Sequence, residues 1–282
     1  MSAINWPATL AAQADVTNPL LSTPARALAS NHALSPSQVS TWQDCPARWY
    51  YGHVLNLPDP PNGGLALGRA LHATIAAYLQ RKANESPMVP WEHGEAFFRR
   101  QFQEELHEAR LAADEQPLAL ASKGVEMLSA WLRKIEPELY PATWEGKPAV
   151  EVPLTGLIGG VPVHAIADVI TAEGIVHDFK TASKKSGSLK PDHALQLTTY
   201  AMLACRQIGR LWTITKAATV AVDQHTLMVD AQQRLYANSL YQIAAEGMQS
   251  GIYPPRRSSF LCSKKHCAFV KQCTGEWGGE VD

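Results

Sequence analysis

The chain has 282 residues, 46% apolar and 18% charged, which suits one sizeable core and excludes a chain that is intrinsically disordered as a whole. Its 25 basic and 26 acidic side chains leave a net charge of -1. A nucleic-acid partner therefore needs a local basic strip rather than bulk charge. No apolar run reaches the roughly 18 residues of a membrane-spanning helix, and the start of the chain lacks the pattern of a secretory leader, so no membrane association and a cytoplasmic location are expected.

Residues 1–30, with Pro7, Pro19 and Pro24 among many small side chains, read as a flexible lead-in. One domain is expected over 31–282, with a mainly helical part at 31–148, sheet and helices at 149–253 and a cysteine tail at 254–282. Ser35 and Ser37 suit an N-cap and Pro36 a first turn, so a helix should begin there, with Val39, Trp42 and Trp49 on its apolar face. After a Pro/Gly-rich loop at 58–64, Leu67, Leu71, Ile75 and Leu79 recur every fourth residue, predicting an amphipathic helix over 65–82. Two further helical patterns fill 91–140, with a break near Pro117.

The periodicity changes at about residue 149. Residues 149–170 read as two strands joined by a Gly159–Gly160 turn, and 174–182 as a third. A polar, basic loop over 183–193 precedes a helix expected to end at Gly209. One or two further strands follow, then a long helix over 234–251. This order predicts an α/β fold with a mixed sheet flanked by helices. No GxxxxGK[ST] sequence is present, so no P-loop motor lies in the chain.

Asp168 closes the apolar run VHAIADVI, and Asp178 and Lys180 follow in IVHDFKT. Positions 178 and 180 share a strand face, and an adjacent strand can bring Asp168 beside them. Two facing carboxylates repel unless a divalent cation lies between them, and an ammonium offsets the rest. A metal on such carboxylates polarises a phosphate and acidifies an attacking water, while the lysine can orient that water or stabilise transition-state charge. The blander alternative is a salt bridge at the strand ends. The apolar residues Val169, Ile170, Ile175, Val176 and Phe179 argue against it, because unpaired charge is costly in such surroundings.

Asp-x-Lys after an apolar strand, followed by Gln196-x-x-x-Tyr200 on the next helix, resembles the RecB-like branch of the PD-(D/E)XK nucleases. Gly68-x-x-x-His72 matches that family's early metal-binding histidine pattern. The resemblance implies a restriction-endonuclease-like core and a Mg2+- or Mn2+-dependent nuclease. It implies His72, Asp168 and Asp178 as metal ligands, helped by the backbone carbonyl of Phe179, with Lys180 as the catalytic lysine. By the same resemblance Gln196 and Tyr200 line the active site and meet the nucleic acid. Ala165 stands where the family often has glycine. Glu151 is a further acidic candidate, whereas His32, His53, His93, His107 and His225 read as ordinary surface or core residues.

Five cysteines are an odd number for a disulfide scaffold, and in a reducing compartment clustered cysteines point to metal. Cys262, Cys267 and Cys273 fall together in a tail too short to fold alone. RecB-like nucleases with an iron–sulfur cluster, including the nuclease domain of AddB and CRISPR-associated exonucleases, place one cysteine before the core and three after it. That resemblance implies Cys45 as the fourth ligand of a 4Fe–4S cluster, with a structural Zn2+ site as the alternative. Cys205 reads as a buried apolar residue.

Lys184, Lys185 and Lys190 in the loop after the Asp-x-Lys strand are candidate phosphate contacts, as are Arg256, Arg257, Lys264, Lys265 and Lys271 around the tail. Trp42, Trp49 and Tyr50 offer stacking surfaces, although core packing suits them better. The expected function is a DNA exonuclease acting on single strands or duplex ends, in recombination, repair or the processing of phage or foreign DNA. A helicase or recombination protein is a possible partner. The alternative is a catalytically weak iron–sulfur DNA-binding subunit of a larger complex.

Overall fold

The computed structural model describes residues 32–84 and 91–281, so the expected lead-in at 1–30 lies outside the described residues. Helix α1 (Pro36–Asp44) starts where Ser35 accepts a hydrogen bond from the Gln38 amide, and a short α2 (Pro46–Trp49) continues into a π-helical turn at Tyr50–Val54. Helix α3 (Gly63–Asn84) begins two residues earlier than its leucine pattern suggests. Asn62 explains this: its side-chain oxygen accepts from the Leu65 amide at 2.8 Å and caps the first turn. Helices α4 (Trp91–Glu108) and α5 (Pro117–Lys134) follow, with Pro117 at the start of α5.

A small hairpin, β1 (Thr143–Trp144) and β2 (Lys147–Pro148), precedes the main sheet. That sheet has five strands in the order β3 (Val150–Ile158), β4 (Val161–Ile170), β5 (Ile175–Ala182), β6 (Ile208–Thr215) and β7 (Val222–Met228). All neighbours are antiparallel except β5 and β6, which are parallel and joined through α6 (Pro191–Leu203). This is the expected mixed sheet flanked by helices. The β3–β4 turn has φ of 57° at Gly159 and 77° at Gly160, the positive values that glycine tolerates in a tight hairpin. Helix α7 (Ala231–Gln249), capped by Asp230, leads to the tail and a final helix α8 (Val270–Trp277).

One sheet face packs under α3–α5 through Phe179, Trp212 and Ile214, and the other under α6 through Val152, Leu154 and Val176. A third cluster joins α1 and α7 to the far end of β3 and β4. No helix among the described residues is long and apolar enough to cross a membrane.

The helix expected to reach Gly209 stops at Leu203. Cys205 adopts a left-handed backbone (φ 53°), and the Arg206 amide turns back to the Ala201 carbonyl at 2.7 Å. Gly209 lies within β6, where an added Cβ would stand 2.8 Å from Leu197. Glycine serves close strand–helix packing there rather than ending a helix. Cys205, expected to be buried, is exposed at this corner.

Candidate active site

Strands β4 and β5 pair only at Val169–His177 and Ile170–Val176, whereas β5 stays paired with β6 along its length. Beyond Val169 the β4–β5 seam opens. The Phe179 N–H meets no β4 carbonyl in this seam and donates to Asp168 Oδ2 at 2.7 Å. The local opening therefore carries the Asp168 carboxylate to the middle of β5.

Glu151 stands across from Asp168, between the pairs Val150–Val169 and Val152–Ala167, with φ of 52°. Side-chain alternation breaks at this point: Val150 joins the core under α3–α5 and Val152 the core under α6. A glutamate in the left-handed region is a strained position of the kind that collects at functional sites.

Asp178 and Lys180 project from the same face of β5. Lys180 Nζ donates to Asp178 Oδ1 at 3.1 Å and lies 2.9 Å from Oδ2. Asp178 is 1% exposed, and its Oδ2 is buried with an ionic contact but no hydrogen bond. Helix α3 supplies His72. One turn earlier, Gly68 lets the helix lie against β5, since a Cβ there would stand 3.2 Å from Thr181 Oγ1. His72 Nδ1 is 3.5 Å from Asp168 Oδ1, and its ring meets Phe179 edge-on. On α6, the Gln196 amide donates to the Tyr200 hydroxyl, and Tyr200 is buried close to both aspartates.

Burial pushes the Asp178 carboxyl up to about 6, against the pull of Lys180. Burial also acts on Asp168, but His72, Lys180 and the Phe179 amide overcome it and hold this carboxyl below its usual range. For His72 and Lys180, burial is outweighed by the neighbouring carboxylates, so both favour their charged forms. Glu151 rises to about 7 through burial and then the negative field of Asp168. The site is thus a charge cluster whose acids and bases compensate one another, with two to three carboxylates available as hard oxygen donors.

The structure brings His72, Asp168, Asp178, Phe179, Lys180, Gln196 and Tyr200 together. Glu151 belongs beside them, and its place opposite Asp168 depends on β3–β4 register, which spacing within one strand does not reveal. His193 had no assigned part, yet it lies in the first turn of α6 within the electrostatic reach of Lys180. Its spacing of three from Gln196 was the available signal. Lys184, Lys185 and Lys190 are exposed in the loop after β5. Trp49 is fully buried and Tyr50 stacks on Tyr253 at 4.6 Å, so both serve packing.

Cys45, Cys262, Cys267 and Cys273 line one cavity with Tyr51, Phe269 and other apolar groups. Cys45 sits in extended backbone at the α1–α2 joint, and its sulfur accepts from the Arg256 amide at 3.4 Å. Burial raises the Cys267 and Cys273 thiols. All five cysteines are free of disulfides. Among the described residues, no three His, Cys, Asp or Glu side chains are already arranged to hold a metal ion.

The family profile described as the PD-(D/E)XK nuclease superfamily matches residues 33–274. A crystal structure from Eubacterium rectale, named provisionally as an exonuclease, is similar in fold: TM-score 0.54, 13% identity, covering 86% of this chain and 88% of that one. The solved structure named SSO0001 aligns with a TM-score of 0.37 and 15% identity over 85% of this chain and 95% of its own. Among curated proteins, none matches the sequence significantly. With this match spanning the opened β4–β5 seam and the helices around it, the chain belongs to the PD-(D/E)XK nuclease superfamily.

Proposed function

We propose that the protein is a metal-dependent deoxyribonuclease of the RecB-like branch that hydrolyses DNA phosphodiester bonds from ends. The observation that carries this reading is the meeting of Asp168 and Asp178 with Lys180 at the opened seam, with the Phe179 amide donating to one acid and Lys180 Nζ 2.9 Å from the other. The donor set fits a hard divalent cation. Asp178 Oδ2 has no hydrogen bond, and Asp168 Oδ1 faces a histidine rather than a permanent cation. Asp168, Asp178, His72 and the Phe179 carbonyl would hold the ion. Mg2+ or Mn2+ would supply Lewis-acid polarisation of the phosphate and acidification of a water.

Lys180, beside Asp178, would orient the attacking water or offset the charge gathering on the phosphate. Gln196 and Tyr200, linked to each other, present polar atoms to the nucleic acid. Lys184, Lys185 and Lys190 neutralise phosphates beyond the site.

For the tail we propose a 4Fe–4S cluster on Cys45, Cys262, Cys267 and Cys273. The single cavity shared by all four supports it, and so does its mainly apolar wall, which excludes water from sulfur ligands. Cys45, Cys262, Cys267 and Cys273 would hold the cluster as thiolates, and a cluster bound only in the folded chain would supply folding free energy. The cluster would fasten 254–282 to the start of the helical part, making 31–282 one unit. DNA recombination, repair or the processing of phage or foreign DNA is the setting we infer, with a helicase or recombination protein as partner class.

The test is cleavage of end-labelled single- and double-stranded DNA by anaerobically purified protein with Mg2+ or Mn2+, beside Lys180→Ala. Metal-dependent degradation by the wild type alone is expected. DNA binding without cleavage under every metal condition would make the chain a binding subunit instead.

A further inference from the structure

An open groove of about 660 Å3 runs between α1, the start of α6, α7 and the cysteine tail. Two aromatic rings from different elements border it: Tyr236 of α7, 50% exposed, and Phe260 of the tail, 78% exposed. Elsewhere the aromatic residues near the tail are packed away, as Trp49 and Tyr253 show. Phe260 is propped by the His266 ring at 5.0 Å.

Lys190 and Arg256 also line the groove, as does Arg48, whose guanidinium is paired with Asp59 at 3.1 Å. Arg256 Nη1 donates to the Gln43 carbonyl at 3.0 Å, which fixes the guanidinium on the wall. Of the two acids present, Asp44 accepts a hydrogen bond from Ser259 at 3.0 Å and Asp192 lies beside His193. The groove thus carries both ring faces and cations. A purely apolar ligand leaves Lys190 and Arg256 unanswered, and an acidic peptide leaves the rings unused. A strand of nucleic acid uses both, with phosphates on the cations and bases on the rings. Paired bases offer only their edges to a groove, so the rings select an unpaired strand.

We propose that this groove is a binding track for single-stranded nucleic acid, with Tyr236 and Phe260 as its stacking platforms, leading toward the site at β5. It rests on the nuclease reading above and specifies its substrate. Lys190 immediately precedes α6, and Gln196 lies six residues further on, about 9 Å along the helix axis. A strand held at Lys190 therefore reaches the catalytic cluster without crossing another element.

The experiment is fluorescence anisotropy of the full chain with labelled oligothymidylate and with a blunt DNA duplex, in EDTA so that neither is cut. The variants are Tyr236→Ala/Phe260→Ala and the ring-preserving Tyr236→Phe/Phe260→Trp. Removing both rings should weaken oligothymidylate binding by roughly tenfold or more, leave duplex affinity within about twofold, and leave the unfolding midpoint unchanged. The ring-preserving pair should bind like wild type. Unchanged oligothymidylate affinity in the alanine pair, equal losses on both DNAs, or no oligothymidylate binding by wild type would each overturn the track. Hydrolysis of a small phosphodiester ester of thymidine, which fills only the site at β5, is followed in parallel with Mn2+. Its failure in wild type would count against the nuclease reading while leaving the binding comparison intact.

Discussion

Lys180 reaches along β5 to set its ammonium 2.9 Å from the Asp178 carboxylate, in a setting that leaves Asp178 only 1% exposed. The lysine compensates a buried charge in the resting protein, and on the proposed reading it also serves the reaction. Lys180→Ala should cut DNA cleavage at least about a hundredfold and lower thermal stability modestly, since the buried carboxylate loses its cation. Gel-based cleavage and thermal unfolding measured together check this. A variant that unfolds outright at assay temperature would show a structural role instead.

Asp178→Asn tests the same pair from the other side. Burial lifts this carboxyl from 3.8 to about 6 in the folded protein. The folded state thus binds the proton more tightly than the unfolded one between those values, and stability falls as pH rises through that window. At neutral pH the ionised group is a standing cost that an amide of the same shape removes. Without divalent ions, the variant should match or exceed the wild-type unfolding midpoint at pH 7, and the gap should close near pH 4. Cleavage should be lost. A lower midpoint at pH 7 would mean that the Lys180 pair outweighs desolvation.

His177, the residue before Asp178, predicts acid sensitivity. It is 1% exposed, accepts from Trp212 Nε1 at 3.0 Å, and is lowered by burial from 6.5 to about 3. The unfolded chain takes up a proton that the folded one refuses. Stability is therefore full above about pH 6.5 and declines as pH falls toward 3, by on the order of a few kcal/mol. Urea titrations at several pH values should show this slope in wild type and a shallower one in His177→Gln, which keeps an acceptor for Trp212. Equal slopes would place the acid sensitivity elsewhere.

For the tail, anaerobically purified wild type should be brown with absorbance near roughly 400 nm, and Cys262→Ser or Cys273→Ser should lose the colour and much of the solubility. Iron and sulfide analysis reads the result. A colourless wild type carrying one zinc per chain would replace the iron–sulfur assignment with a tetrathiolate zinc site.

Gly68→Val should push α3 away from Thr181, because the 3.2 Å approach leaves a larger side chain no room. His72 would leave Asp168, and cleavage should fall while DNA affinity measured in EDTA holds. A fully active variant would show that His72 does not depend on this contact.

Features governed by local geometry were legible in the sequence. Strand alternation put Asp178 and Lys180 on one face, and a single helical turn linked Gln196 to Tyr200 and Gly68 to His72. Those relations hold wherever the strand or helix forms, so spacing alone states them. The Asn62 cap and the left-handed Cys205 moved the bounds of α3 and α6, because a side-chain hydrogen bond and a tight reversal outweigh apolar periodicity. The β1–β2 hairpin and α8 escaped notice because each is too short to show a period.

The four cysteines illustrate the boundary between the two kinds of information. Sequence clustering marked three of them, but only the packing of α1 and α2 against the tail brings Cys45 to the same cavity. The opening of the β4–β5 seam, Glu151 opposite Asp168, and the pairing of Tyr236 with Phe260 across a groove likewise follow from strand register and helix packing between distant segments. Chain order was enough to say which side chains carry charge, sulfur and aromatic surface, and which near neighbours share a face. Which of those faces meet emerges only in the folded chain, because contacts between distant segments depend on how the whole core packs, and no local spacing encodes that.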